Sequence, residues 1–227
     1  MFAFFTGEEA GLLGSREYVR RSVAAGDKLV GALNNDMVGW SGDARYDNTI
    51  RYSNDGLRDL QHAAAIGFTD LITYDARYYK STDAHAYYEA YGDIVSGIGS
   101  YPILSNPHYH QSHDILATIS HRLVGEVSKT TVASLMLMAS SPSRITGLTV
   151  APRSGSEARV EWTASPESGV RSYEVAYGPA DEAPRRRLTS SETRATLSGV
   201  AAGWVVRVRA IGDRGTSGWD WARADIQ

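Results

Sequence analysis

The stretch Phe4-Phe5-Thr6-Gly7-Glu8-Glu9-Ala10-Gly11-Leu12-Leu13-Gly14-Ser15 decides how this chain is read. Its apolar run reads as a buried strand that breaks at a glycine into two adjacent carboxylates and then into a small, apolar helix start. Two carboxylates at a strand end raise one another's pKa and are costly to desolvate, so a cation or a proton-transfer role is the usual compensation. The same residues admit a structural reading. Thr6 followed three positions later by Glu9 is a capping-box pattern, and acidic residues in a first turn complement the helix dipole.

Outward from that stretch, Met1 to about Ala139 alternates short apolar runs with amphipathic stretches. Phe2 to Phe5, Leu29 to Val38 and Ile94 to Ile98 read as strands, and Leu12 to Ala24, Leu57 to Ile66, Ala84 to Tyr91 and Ile115 to Met138 as helices. That is α/β grammar, with a largely parallel sheet expected. At Ala139-Ser140-Ser141-Pro142-Ser143 the composition turns small and proline-containing, as linkers do. Beyond it come short alternating strands at Ile145 to Val150, Ala158 to Trp162, Tyr173 to Tyr177, Ala195 to Leu197 and Val205 to Ala210. These are the marks of a small β-sandwich. The expected domains are residues 1–140 and 141–227.

Composition narrows the chemistry. A net charge of -3 and the lack of a long basic cluster argue against a nucleic-acid surface. Arg185-Arg186-Arg187, the one dense basic run, reads as a solvated loop. No segment approaches the ~20 consecutive apolar residues of a membrane span. With no cysteine, any transition metal must be held by His, Asp and Glu. Met1-Phe2-Ala3-Phe4-Phe5 lacks the positive n-region of a signal peptide.

Asp36 follows the apolar run Leu29-Val30-Gly31-Ala32-Leu33, so it arrives at the carboxyl end of a strand, where open α/β sheets collect site residues. A turn or cap role is the alternative there. A second cluster is Asn106-Pro107-His108-Tyr109-His110-Gln111-Ser112-His113-Asp114. Three histidines in six positions suit a neutral metal ligand, with one as ligand and the others as supporting loop residues. Asp114 reads as the N-cap of the helix beginning at Ile115.

Gly7-Glu8-Glu9-Ala10-Gly11-Leu12-Leu13-Gly14-Ser15, Asn35-Asp36-Met37-Val38-Gly39 and Asn106-Pro107-His108-Tyr109-His110 with Asp114 occur in the order and approximate spacing of the M28 family of zinc peptidases, which the chain resembles from Met1 to about Ala139. The resemblance implies two zinc ions sharing a bridging carboxylate. It also implies Glu8 as general base, Glu9 and His110 as ligands of one zinc, Asp36 as a ligand of the other, and Tyr109 as the hydroxyl that helps hold the developing oxyanion. The segment Ser81-Thr82-Asp83-Ala84-His85 matches a family stretch imperfectly, and His85 is read as a helix-start residue shaping the pocket rather than a ligand. The family brings the bridging aspartate and a further histidine from segments before its Glu-Glu motif. The expectation is therefore the carboxyl-terminal part of a secreted-type peptidase, inactive alone.

Leu148-Thr149-Val150, Val160-Glu161-Trp162, Ser172-Tyr173-Glu174-Val175 and Trp204-Val205-Val206-Arg207-Val208-Arg209-Ala210 resemble a fibronectin type III domain. Trp162 stands where that family buries a tryptophan, and Trp204 stands where it usually carries a corner tyrosine. The expected activity is aminopeptidase hydrolysis of peptides, with possible surface or polymer contact through the second domain. A non-catalytic binding module carried by that domain is the alternative.

Overall fold

The computed structural model describes residues 1–227, which divide into two units, Met1–Leu135 and Met136–Gln227. The first contains α1 (Leu13–Ala25), β1 (Ala32–Leu33), β2 (Asp47–Arg51), α2 (Asp55–Phe68), β3 (Ile72–Ala76), α3 (Ala84–Tyr91), β4 (Val95–Ser96) and β5 (Ile98–Ser100). A 3₁₀ turn (Leu116–Thr118) then leads into α4 (His121–Ser140), whose residues from Met136 onward are counted with the second unit.

α2 shows why such stretches become helices. Leu57, Leu60, Gln61, Ala64 and Ala65 recur at helical spacing and are buried on one face, while the Asn54 side chain accepts the Leu57 amide at 2.8 Å and caps the first turn. That face contributes to a core of Ile50, Ala65, Leu71, Ile98, Leu123 and Val127. Each large aliphatic side chain there is worth roughly 1.5–3 kcal/mol of burial.

The sheet is mixed. β2 pairs in parallel with β3 and antiparallel with β5, and β1 pairs in parallel with β4. β4 and β5 are separated by Gly97, whose carbonyl accepts from Arg51 N, while Val95 O accepts from Ser53 N and Ile98 O from Asp36 N. Pairing thus continues across the break. A Cβ at residue 97 would lie 1.7 Å from Asn34 O, so only glycine lets the chain beyond β1 pass so close.

Several sequence expectations are corrected. Phe2 to Phe5 forms no strand, and Phe2 and Phe4 are exposed: no neighbouring strand takes up their backbone hydrogen bonds. The run Leu29 to Val38 contributes only Ala32–Leu33 as strand. β2 and β3 carry no apolar alternation to announce them. β2 is Asp-Asn-Thr-Ile-Arg, yet all five residues are buried because both its edges are paired and both its faces covered. The last helix starts at His121 rather than Ile115. Its first turn is capped by the Ser120 hydroxyl, which accepts from Leu123 N, so Asp114 is a turn residue and not its N-cap.

The second unit is a seven-stranded β-sandwich. Its strands are β6 (Thr149–Val150), β7 (Glu157–Glu161), β8 (Val170–Pro179), β9 (Arg186–Ser190), β10 (Arg194–Ser198), β11 (Trp204–Gly212) and β12 (Ala222–Ile226). They form sheets of order β10-β7-β6 and β12-β11-β8-β9, with every ladder antiparallel. Val160, Trp162, Tyr173, Val175, Leu197, Val206, Val208 and Ile226 fill the space between them. Trp162 meets Tyr173 edge-on at 5.3 Å, and the Tyr173 hydroxyl accepts from Ser165 N. Arg186 and Arg187 lie in β9 and not in a solvated loop. The Arg186 guanidinium covers the Trp204 ring at 5.0 Å and donates to Ser198 O and Gly199 O.

Candidate active site

Glycine geometry sets the two glutamates. Gly7 and Gly11 have φ of +69° and +99°, Leu12 is left-handed at +63°, and the amides of Gly11 and Leu12 both donate to Glu8 O. Gly14 packs against the backbone of Thr6, where a Cβ would come within 2.5 Å of the Thr6 carbonyl. The coil therefore closes tightly ahead of α1, and Glu8 and Glu9 stand in the turn, outside the helix. Leu12 occupies the N-cap without a side-chain cap bond, and the first turn of α1 holds no acid. The capping-box reading of Thr6 and Glu9 is thereby replaced.

The histidine loop is wound by Asn106, whose carbonyl accepts from Tyr109 N and whose side chain accepts from His108 N. His110 sits in the left-handed region at φ +56° and brings Nε2 to 2.6 Å from Glu9 Oε1, across a sequence separation of 101 residues. The rings of Tyr109 and His110 stack at 3.8 Å. Glu8, Glu9, Asp36 and Tyr109 line one cavity of about 610 Å³, together with Arg51, Ser81 and Thr82.

Backbone strain gathers there. Of the five non-glycine residues with positive φ, Leu12, Met37 and Ser81 line the cavity and His110 contacts Glu9, leaving only Ala44 elsewhere. Such conformations cost of order 1 kcal/mol or more each and cluster at functional sites.

The cavity is electronegative. Burial pushes the Glu8 carboxyl above its ordinary range, and the charges of Asp36, Glu9 and Asp83 push it the same way against a smaller pull from His110. Burial and then the charges of Glu9, Asp36 and Glu8 likewise raise the Tyr109 phenol, which keeps it a neutral O–H donor. The compensating cation is Arg51, which sequence reading missed. Its guanidinium is buried, donates to Asp36 O at 2.7 Å and lies 3.4 Å from the Asp36 carboxylate. Gly99 makes room for it, since a Cβ there would be 2.7 Å from the guanidinium. No local motif surrounds Arg51 that could have announced it.

His85 stands on α3 within 3.7 Å of Glu89 and does not line the cavity, although Ser81 and Thr82 of the same segment do. His108 and His113 meet edge-on at 5.1 Å. The carboxylate oxygens at the cavity and the imidazole nitrogen of His110 against Glu9 are donor types zinc takes, and Glu9 with His110 makes a two-donor pair. No three His, Asp or Glu side chains converge on one point, so the chain's own geometry offers that pair and, apart from it, Asp36.

The α/β unit thus brings paired acids and a tyrosine to one cavity, with the His110 imidazole in contact with Glu9 beside it. The sequence profile of peptidase family M28 matches residues 1–135, and that of the fibronectin type III domain matches residues 140–224. The chain belongs to peptidase family M28 and carries a fibronectin type III domain after the peptidase part. Leucine aminopeptidase 1 of Arthroderma otae is 30% identical over 128 residues, covering 52% of this chain and 34% of that protein. The chain thus spans about a third of that relative's length. Among solved structures, an Fn3-like protein from Clostridium thermocellum is 31% identical, covering 39% of this chain and 94% of that one at a TM-score of 0.33. The FN3 domain of human collagen XX is 19% identical, covering 38% and 92% at 0.32.

Proposed function

We propose that the protein acts as a zinc-dependent aminopeptidase, removing amino-terminal residues from peptides outside the cell. The observation that carries this reading is the division of labour between adjacent glutamates: Glu9 is engaged by His110, while Glu8 stands free in an acidic, partly buried cavity with raised proton affinity. Glu9 and His110 would hold one ion and Asp36 would contribute to a second. Zinc, when bound, supplies a Lewis acid that makes water nucleophilic at neutral pH. Glu8 takes the proton from the attacking water and passes it to the leaving amine, and the Tyr109 O–H donates to the oxygen on which charge develops. Asp36 keeps its orientation through Arg51.

Three candidate ligands are fewer than a two-ion centre needs, since a catalytic zinc keeps about three protein ligands of its own. The proposal therefore includes ligands from outside residues 1–227, and residues 1–227 alone are expected to hydrolyse leucine-p-nitroanilide negligibly. The test is zinc content and turnover, measured on the active protein. Loss of both on chelation and their return with zinc support the reading, and full activity without zinc overturns it. The second unit serves as a spacer or surface-contact module.

A further inference from the structure

Arg51 is the only cationic side chain lining the cavity, and it stands among the carboxylates of Glu8, Glu9 and Asp36. Its side chain is only 5% exposed. Strand pairing holds it there: the Arg51 amide donates to Gly97 O, and Gly99 on the neighbouring strand leaves the space that the guanidinium fills. A guanidinium carries five N–H donors, and burying it is costly unless they are met. Nη2 is met by Asp36, whose carbonyl accepts at 2.7 Å and whose carboxylate lies 3.4 Å away. That second distance exceeds the roughly 2.7–2.9 Å of a full charge-assisted bond. Nε and Nη1 donate to no oxygen, and Nη1 has only the Met37 sulfur, a weak acceptor, at 3.9 Å. Pairing with Asp36 therefore leaves three N–H donors of a buried cation unused beside a cavity.

In a peptide, the groups that answer such a cation with both charge and acceptor oxygens are carboxylates. Glu8, Glu9 and Asp36 repel an anion elsewhere in the cavity, so Arg51 is the one side chain there that draws a carboxylate in. The acids proposed to hold zinc are themselves offset when the ion is bound. At about 610 Å³ the cavity is of a size that takes more than the first residue of a peptide. Two sources bring a carboxylate near a peptide's amino terminus: the side chain of an acidic first residue, and the terminal carboxylate of a dipeptide. Both lie within about two Cα spacings of it, roughly 7 Å. We propose that Arg51 is the specificity residue of this cavity, taking a substrate carboxylate from one of those two sources on the N–H groups that Asp36 leaves unused. This rests on the aminopeptidase reading and narrows its substrates to peptides that carry a carboxylate within reach of the site.

The experiment is steady-state kinetics of the active protein on two matched pairs of substrates: leucyl-glycine with leucyl-glycine amide, and glutamyl-p-nitroanilide with glutaminyl-p-nitroanilide. In the wild type the acidic member of one pair is expected to have a kcat/KM about ten- to a hundredfold above its neutral partner. The first pair reads the terminal carboxylate and the second the side chain, so the pair that discriminates assigns the source. In Arg51→Gln the ratio is expected to fall below about threefold. Disturbing Asp36 lowers both members of a pair alike, so the ratio reads the carboxylate contact and not a structural role. Arg51→Lys keeps the charge but moves the donors and is expected to retain only part of the ratio, which carries the test where the glutamine variant does not fold. Turnover of the neutral members with no acidic preference in either pair overturns this proposal alone, as does a ratio unchanged in both variants. Failure of the wild type to hydrolyse any of the four substrates overturns the aminopeptidase reading, and this proposal with it.

Discussion

Glu8 and Glu9 are covalent neighbours in different surroundings, and that difference can be tested one atom at a time. Glu8→Gln keeps the side chain's shape but removes its ability to accept a proton. In an active protein that supplies the remaining zinc ligands, it is expected to lower turnover of leucine-p-nitroanilide by about a hundred- to ten-thousand-fold with zinc content unchanged. Glu9→Gln is expected to lower zinc occupancy instead, because it replaces the anionic oxygen donor proposed to hold the ion beside His110 with a neutral amide. A Glu8 variant that loses zinc beside a Glu9 variant that keeps it would reverse the two roles. Arg51 gives a stability test at the same scale. Arg51→Met removes the cation held against Asp36 and the donor to its carbonyl. Asp36 is one-third exposed, so solvent offsets part of the loss, and about 1–2 kcal/mol of destabilisation in urea is expected. The glutamate pair is legible in the sequence only through the three ordered motifs taken together, since Thr6 and Glu9 alone also read as a capping box. Arg51 is not, because its partner Asp36 is 15 residues away and only the pairing of β2 brings the two together.

At the scale of elements, β2 and its neighbours form the least legible part of the chain and the part most sensitive to single changes. Gly97→Ala would drive a methyl into the Asn34 carbonyl, and about 3 kcal/mol of destabilisation is expected, read from the denaturant midpoint of the first unit's transition. In the sandwich, burial acts to raise the Glu174 carboxyl, but hydrogen bonds from Arg209 and Arg187 outweigh it and hold the group below its ordinary value of 4.5. A carboxyl depressed in the folded state contributes stability that is present above about pH 4.5 and is lost as pH falls through the folded value. Glu174→Gln should therefore flatten the acid limb of the second unit's stability profile and lower its stability at pH 7. An unchanged acid limb would show that the arginines do not set this titration.

At the scale of the whole molecule, the second unit has a core of its own, built from both sheets around Trp162. Residues 136–227 are expected to melt cooperatively when expressed alone, with Trp fluorescence and far-UV dichroism following one transition. Non-coincident transitions would show that this unit leans on the rest of the chain. Removing it should leave small-peptide hydrolysis by the active protein largely intact, and a large loss of kcat on an aminoacyl chromogen would overturn the spacer role.

By itself the sequence determined what local pattern can carry. Helical periodicity placed α1, α2 and α3 to within a few residues, alternation around Trp162 marked the sandwich, and three ordered motifs pointed to the peptidase family. Only the tertiary structure decided the rest. Phe2 to Phe5 has the side chains of a strand and no strand to pair with, whereas β2 has polar side chains and becomes a buried strand because two neighbours take up its backbone. The contacts of Glu9 with His110 and of Arg51 with Asp36 depend on residues far apart in sequence. Strand pairing and loop closure create such contacts, and no local periodicity encodes them.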